Sequence, residues 1–274
     1  MKIAAVQMNS GPEVQSNLDA ARALLEDAAR QGAAVALLPE NFAIMGRKER
    51  DKIAVSEAPG SGPIQEFLSS TAKRLSLCII GGTIPLEVAG ETRVAPACVV
   101  YGADGAYLGR YDKIHLFDVS VPGRNETYRE SASMVPGREP VILPTPAGRV
   151  GLSVCYDVRF PELYRRLSAG PGGAAQGADF LSVPAAFTVP TGEAHWDTLL
   201  RARAIENLCC VVAAAQVGEH ANGRRTYGHS MIVDCWGTVL GQLPEGPGCV
   251  VAEFDLAKQA ATRESFPALT HRVI

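Results

Sequence analysis

Apolar residues in this chain fall into short continuous runs set between longer stretches of helical spacing. The runs at 3–8, 33–38, 77–80, 94–101, 150–155, 179–183 and 209–217 predict buried strands. Between the first two, Leu18, Ala21, Leu24, Leu25 and Ala28 recur at three and four residues. That spacing predicts a helix over 17–30, capped by Ser16 and stopped at Gly32. Ser61-Gly62-Pro63 opens a second helix to about 76, with proline early, where a missing N–H costs nothing. Further helices are predicted over about 161–169, over 196–208 and from about 255. Gly102-Ala103-Asp104-Gly105 joins 94–101 to 106–113 as a hairpin, and three more β segments near 229–234, 237–242 and 248–254 follow late in the chain. Residues 118–148 are polar and punctuated by Pro and Gly, which predicts a long functional loop without regular structure. The Gly/Pro-rich segment at 170–177 predicts a surface excursion that tolerates insertion. Strands alternate with helices early and pair as hairpins late, with no linker-like break, so 1–274 is expected to be a single α/β domain with a mixed sheet.

Composition narrows the function classes. A net charge of −3 over 274 residues gives no reason to expect nucleic acid or an anionic membrane as partner. No apolar run approaches the roughly 18 residues of a membrane span. The first strand meets Asn9 and Ser10 too soon to hold a signal-peptide core, so a cytoplasmic location is the expectation. Seven cysteines is an odd number in a chain too long to need a disulfide framework. Cys78, Cys98, Cys209, Cys210, Cys235 and Cys249 sit in or beside apolar runs, where free cysteine acts as a small hydrophobe. No Cys-x-x-Cys occurs and the five histidines lack metal-ligand spacing, so a metal site is not expected.

Three strand or hairpin ends carry a titratable residue: Glu40, Lys113 and Cys155. A thiol attacks as thiolate, a carboxylate can take its proton, and an ammonium can stabilise the oxyanion that results. The protonated carboxyl can then supply a leaving amine. This set is chemically complete for hydrolysing an amide or nitrile without a histidine base. Taken singly, each residue also has an ordinary reading, as a solvated charge or a packed thiol. Ser153 is not in a Gly-x-Ser-x-Gly elbow, and Met8-Asn9-Ser10-Gly11 stands where a dinucleotide fold needs Gly-x-Gly-x-x-Gly.

The motifs Leu37-Leu38-Pro39-Glu40, Tyr111-Asp112-Lys113-Ile114-His115-Leu116-Phe117 and Gly151-Leu152-Ser153-Val154-Cys155-Tyr156-Asp157-Val158-Arg159-Phe160-Pro161-Glu162 closely resemble the nitrilase (carbon–nitrogen hydrolase) superfamily. The resemblance extends from Ala5-Val6-Gln7 to Trp236-Gly237. It implies a four-layer αββα sandwich of the nitrilase type with mixed sheets, and a Glu–Lys–Cys triad. Glu40 would be the general base and acid, Lys113 the oxyanion stabiliser and Cys155 the nucleophile that forms a thioester. Tyr156 would add its backbone N–H to the oxyanion site, and Glu130 would position Lys113 or the substrate. Cys155-Tyr156-Asp157-Val158-Arg159-Phe160 is similar to the Nit branch, the ω-amidases and deaminated glutathione amidases, and unlike the Cys-Trp-Glu of true nitrilases. The implied reaction is cofactor-free hydrolysis of the terminal amide of a 2-oxo acid, with deaminated glutathione foremost among small-molecule amides. Arg159 suits paired hydrogen bonds to the substrate carboxylate, Phe187 aligns with a pocket-lining phenylalanine, and His195 has no catalytic role. A homodimer is the implied assembly. The alternatives are an ω-amidase acting on 2-oxoglutaramate, an N-carbamoyl amidase, a nitrilase, or a catalytically inactive binding or scaffold protein on the same fold.

Overall fold

The computed structural model describes residues 1–120, 127–169 and 177–273. The Gly/Pro-rich segment singled out at 170–177 falls, apart from Gly177, outside the described residues. Seventeen strands and six α-helices are described. The first sheet is built from β1 (Lys2–Gln7), β2 (Ala33–Leu37), β3 (Cys78–Ile80), β4 (Ile84–Glu87), β5 (Val94–Tyr101) and β6 (Tyr107–Asp112). A ribbon of β7 (Asp118–Ser120) and β8 (Thr127–Arg129) comes next. The second sheet takes β9 (Ile142–Thr145), β10 (Gly148–Leu152), β11 (Phe180–Ala185) and β12 (Cys210–Ala215), then, after the small hairpin of β13 (Val217–Glu219) and β14 (Arg225–Tyr227), β15 (Ser230–Val233) and β16 (Val239–Leu243). Finally β17 (Gly248–Glu253) returns to pair with β1 in the first sheet.

Both sheets are mixed. β1, β2 and β3 run parallel, as do β10, β11 and β12, with antiparallel strands on either side. The strands alternate in a way that explains their unbroken apolar character. Ile3, Ala5, Val35 and Leu37 face the second sheet, where they meet residues such as Val150, Leu152 and Val212. Ala4, Val6 and Ala36 face outward under α1 (Val14–Arg30) and α3 (Pro63–Leu75), against Leu18, Ala21, Leu25 and Leu68. The second sheet is covered by α4 (Pro161–Ala169) and α5 (Val189–Asn207), whose Trp196, Leu200 and Ala204 recur every four residues on the buried side. The layers therefore run helix, sheet, sheet, helix, and each fully buried Leu, Ile or Val contributes about 1.5–3 kcal/mol. The short α2 (Asp51–Ala54) and the late α6 (Leu256–Ser265) complete the elements.

Three local expectations are corrected. The first helix begins at Val14, a few residues before Ser16, and its N-cap is Glu13 with no side-chain bond. Asn17, expected at the helix start, lies within the helix and bonds Gly11 in both directions, tying the loop after β1 to the helix. The segment 118–148 is not structureless, since it contains β7, β8, a short 3₁₀ turn at Glu130–Ala132 and β9. Likewise α5 starts at Val189, with Pro190 in its first turn, well before the expected 196.

Beyond their C-terminal ends the two sheets are joined directly. Met8 N–H donates to the Ala215 carbonyl at 3.2 Å, and Val217 N–H donates to the Met8 carbonyl at 2.8 Å. Gln7, fully buried, accepts from Ser230 N–H at 2.8 Å and donates to the Gly246 carbonyl at 2.8 Å. Open α/β sheets bind ligands beyond the carboxyl ends of their parallel strands, and here that edge of both sheets meets in one seam.

Candidate active site

Each sequence-selected group enters this seam from a strand end. Leu38 N–H extends β2 by bonding the Ile80 carbonyl at 2.9 Å, and Pro39 and Glu40 follow. Gly82, at φ +52°, passes so close beneath that a Cβ there would lie 2.0 Å from the Pro39 oxygen, so the turn carrying Glu40 requires glycine. Lys113 leaves β6 with its N–H on the Pro96 carbonyl at 3.1 Å, while its own carbonyl accepts from Gly137 N–H at 2.8 Å. Cys155 stands just beyond β10 at φ +49°, opening a 3₁₀ turn over Cys155–Arg159. A non-glycine residue held in that region costs energy that its surroundings must supply.

Asp157 is what holds the turn. Its fully buried carboxylate accepts from Tyr111 Oη at 2.7 Å, Val154 N–H at 2.8 Å and His115 N–H at 3.0 Å, and lies 2.7 Å from His115 Nδ1. Burial, and then Asp157 itself, pushes the Tyr111 phenol far up, so that hydroxyl stays a donor. One side chain thus ties the Cys155 turn to the strand that delivers Lys113. Asp157→Ala strands these donors in an apolar interior, and is expected to cost about 3–5 kcal/mol of stability. A urea-unfolding midpoint checks this, and an unchanged midpoint would remove Asp157 from this role.

The charged groups converge. Lys113 Nζ is 2.8 Å from Glu40 Oε1, and 3.0 and 2.8 Å from the two oxygens of Glu130. The other Glu40 oxygen accepts from Ala186 N–H at 2.9 Å, and Glu130 Oε2 also accepts from Phe117 N–H at 2.7 Å. Cys155 lines the same cavity as Glu40 and Lys113. Lys113 is 1% exposed and Glu40 4%, so their protonation is set by one another. Burial opposes ionisation of Glu40, yet the Lys113 charge and the bond from Lys113 prevail and hold the carboxyl below its ordinary value. Burial likewise opposes the Lys113 ammonium, and the Glu130 and Glu40 carboxylates outweigh it and hold the amine charged well above its ordinary range. Burial, then the Glu40 charge, pushes the Cys155 thiol far up, with Lys113 and the Ala186 N–H only partly opposing. The resting site is therefore a carboxylate, an ammonium and a neutral thiol.

All seven sequence-selected residues line one cavity of about 230 Å³: Glu40, Lys113, Glu130, Cys155, Tyr156, Arg159 and Phe187. The Arg159 guanidinium lies 5.9 Å from the Tyr156 ring centre and 5.3 Å from that of Phe187, with Nη1 3.3 Å from His195 Nδ1. Phe187 also packs on Trp196 at 4.8 Å, so its ring serves the core and the cavity wall together. His195 is exposed and outside the carboxylate–ammonium cluster.

Sequence reasoning overlooked three contributors. Asp157 lies two positions beyond the candidate nucleophile Cys155, and its acidic character there was the available signal. Gln216 donates to the Glu40 carbonyl at 3.0 Å and to Ser10 Oγ at 2.8 Å, and accepts from Ser10 N–H at 2.9 Å. It thereby fastens the end of β12 to the loops of the other sheet. Arg224 also lines the cavity, and it stands in a polar turn, Asn222-Gly223-Arg224, that carries no periodic signal. Among the described residues no cluster of three His, Cys, Asp or Glu side chains is arranged to hold a metal ion. No described helix is long and apolar enough to cross a membrane.

Residues 2–264 match the family described as carbon–nitrogen hydrolase. The protein named deaminated glutathione amidase from Synechocystis sp. (strain PCC 6803 / GT-S) is 46% identical over 273 residues, covering 98% of this chain and 97% of its own. Among solved structures, the C. elegans NitFhit protein superposes with a TM-score of 0.89 at 37% identity, covering 99% of this chain and 65% of that longer chain. Saccharomyces cerevisiae Nit3, described as a member of branch 10 of the nitrilase superfamily, superposes with a TM-score of 0.87 at 29% identity, covering 100% of this chain and 97% of its own.

Proposed function

This chain belongs to the carbon–nitrogen hydrolase family, and from that premise we propose that it hydrolyses deaminated glutathione, splitting the amide between the 2-oxo acid and cysteinylglycine. The observation that carries the reading is the Lys113 ammonium clamped between two carboxylates, with Cys155 beside them in the same cavity, which is ringed by arginines.

In this reading Cys155 Sγ attacks the amide carbon while Glu40 takes the thiol proton. A thiol that is neutral at rest and a carboxylate that is ionised at rest suit that division, because the thiolate is made only as the C–S bond forms. The carbonyl oxygen becomes an oxyanion held by the Lys113 ammonium and the Tyr156 N–H. Glu40 passes its proton to the leaving amine, the C–N bond breaks, and a thioester remains on Cys155. Water, deprotonated by Glu40, then attacks the thioester, and the acid departs as the thiol recovers its proton. Glu130 keeps Lys113 charged and aimed. Arg159 pairs with the carboxylate of the 2-oxo acid, and Phe187 forms the apolar wall beneath it.

We further propose that 1–274 acts as one domain, as a homodimer in the cytoplasm. The exposed Trp236 and Phe266, packed edge to face at 5.7 Å, support an apolar contact with a second copy.

The test is a panel of deaminated glutathione, 2-oxoglutaramate, N-carbamoyl amino acids and nitriles, following product release. The expected result is a kcat/KM for deaminated glutathione at least about tenfold above every other member, the equivalent of one charge-assisted bond. Equal turnover of 2-oxoglutaramate would make the chain an ω-amidase, and turnover of none would favour a scaffold.

A further inference from the structure

The cavity has a cation at each end of an aromatic arc. Arg224 lies 5.0 Å from the Tyr128 ring centre, Tyr128 lies 5.2 Å from Phe117, and Phe117 lies 5.1 Å from Tyr156. Arg159 then lies 5.9 Å from Tyr156. The rings Tyr128, Phe117 and Tyr156 therefore form a continuous wall with a guanidinium over each terminus, and all five residues face the same space.

The two ends are not equivalent with respect to the reacting groups. Arg224 donates through Nη2 to the Ala186 carbonyl, on the residue whose N–H bonds Glu40. It is also near enough to Glu40 to help stabilise that carboxylate. Arg159 instead sits four residues beyond the nucleophile, over Tyr156 and Phe187. Glu40 must deliver a proton to the leaving nitrogen, so the leaving half of the substrate has to lie on the Glu40 side, which is the Arg224 end. The acyl half then extends toward Arg159.

Arg224 retains donor capacity for a ligand. Its Nε is buried and has no acceptor among the described residues. A guanidinium held at one nitrogen by a backbone carbonyl and supported by a ring face is pre-oriented for a carboxylate.

We propose that Arg224 is a specificity-determining residue that binds a carboxylate on the leaving amine, so that the site selects amides whose leaving group is an amino acid or peptide with a free C-terminus. This rests on the amidase reading above and assigns the second anionic end of the same substrate. A purely structural role for Arg224 is the rival. Glu40, Glu130 and Lys113 together carry one excess negative charge, and a nearby arginine balances it.

The experiment compares deaminated glutathione with its C-terminal carboxamide, which has the same scissile bond but no leaving-group carboxylate. The full chain is assayed as wild type, Arg224→Gln, Arg224→Lys and Arg159→Gln. The readout is the ratio of the two kcat/KM values. Wild type is expected to favour the free acid by about tenfold to a hundredfold, the worth of a charged hydrogen-bond pair. In Arg224→Gln that ratio is expected to collapse to within about threefold of unity, and Arg224→Lys should give an intermediate ratio, since it keeps the charge without the fork. Arg159→Gln is expected to keep the wild-type ratio, because the carboxylate it would lose is common to both substrates. An Arg224→Gln protein whose rates on both substrates fall together, leaving the ratio intact, would overturn the inference and support charge balance. If Arg224→Gln does not fold, an Arg224→Lys ratio equal to wild type overturns it equally. Failure of wild type to turn over either compound would instead overturn the amidase reading itself, and this inference with it.

Discussion

Cys155→Ala is expected to lower kcat by about 10⁴- to 10⁶-fold, the scale seen when a nucleophile acting within a coupled set is removed. The loss is large because, among the described residues, no other thiol lines the cavity to form the proposed thioester. Lys113 and the Tyr156 N–H would still bind the carbonyl oxygen, so affinity for substrate should survive while turnover does not. The other thiols cannot substitute. Burial pushes Cys78 up to about 12, and burial together with Asp27 pushes Cys249 to about 12, and neither lines the cavity. Intact-protein mass spectrometry after rapid quenching checks this directly: wild type should carry the acyl group on Cys155, and the variant should carry none. Turnover within about tenfold of wild type would exclude a thioester mechanism.

Glu40→Gln is expected to follow closely, with a loss of about 10³- to 10⁴-fold in kcat/KM and a changed pH profile. Glutamine preserves the volume and can still accept from Ala186 N–H, but it can neither take the thiol proton nor return one. The sign of the pH effect comes from the direction of the Glu40 shift. Because its carboxyl is held below the ordinary value of about 4.3, the base is present above that depressed value and is lost as pH falls through it. The acid limb of wild-type kcat/KM should therefore lie below the usual glutamate range, and should vanish in the variant. What remains should rise toward alkaline pH, as hydroxide removes the proton from a thiol that burial and Glu40 keep neutral in wild type. A variant retaining the wild-type acid limb would assign that limb to another group.

The parts of this arrangement legible in the sequence were those governed by local pattern. Continuous apolar runs marked the paired parallel strands, and Glu40, Lys113 and Cys155 were each visible as a reactive group at the end of an element. Their convergence was not visible from pattern, since Glu40 and Lys113 meet across 73 residues of chain and Glu40 and Ala186 across 146. Family resemblance supplied the expectation that they meet, and Glu130 with it. The start of α1 was misplaced because Ser16 offered a plausible cap, while burial of Leu18 and the Asn17–Gly11 bonds favour a helix begun earlier. Residues 118–148 hid their strands because β7 and β8 are short and partly exposed, without an apolar run to announce them. Asp157 and Gln216 escaped for a common reason. Each is a polar residue whose value lies in long-range bonds made inside the fold, and propensity carries no information about such partners. Arg224 escaped because its ring and carbonyl contacts arise only when residues 128 and 186 approach it.

The seam between the sheets has a consequence for when reactivity exists at all. Glu40 and Lys113 belong to the first sheet's half of the chain, Cys155 and Ala186 to the second, and Gln216 and the Met8–β12 bonds fasten the halves together at that spot. An unfolded or half-assembled chain therefore carries seven ordinary thiols and no hydrolase. On the proposed mechanism the reacting set exists only where the two halves of the chain meet, like a lock whose two keys are cut from opposite ends of one strip. If those roles hold, the same joint that completes the barrel of the lock is the quality check on it, because a molecule that has not closed its seam lacks the assembled set that the proposed attack on an amide needs.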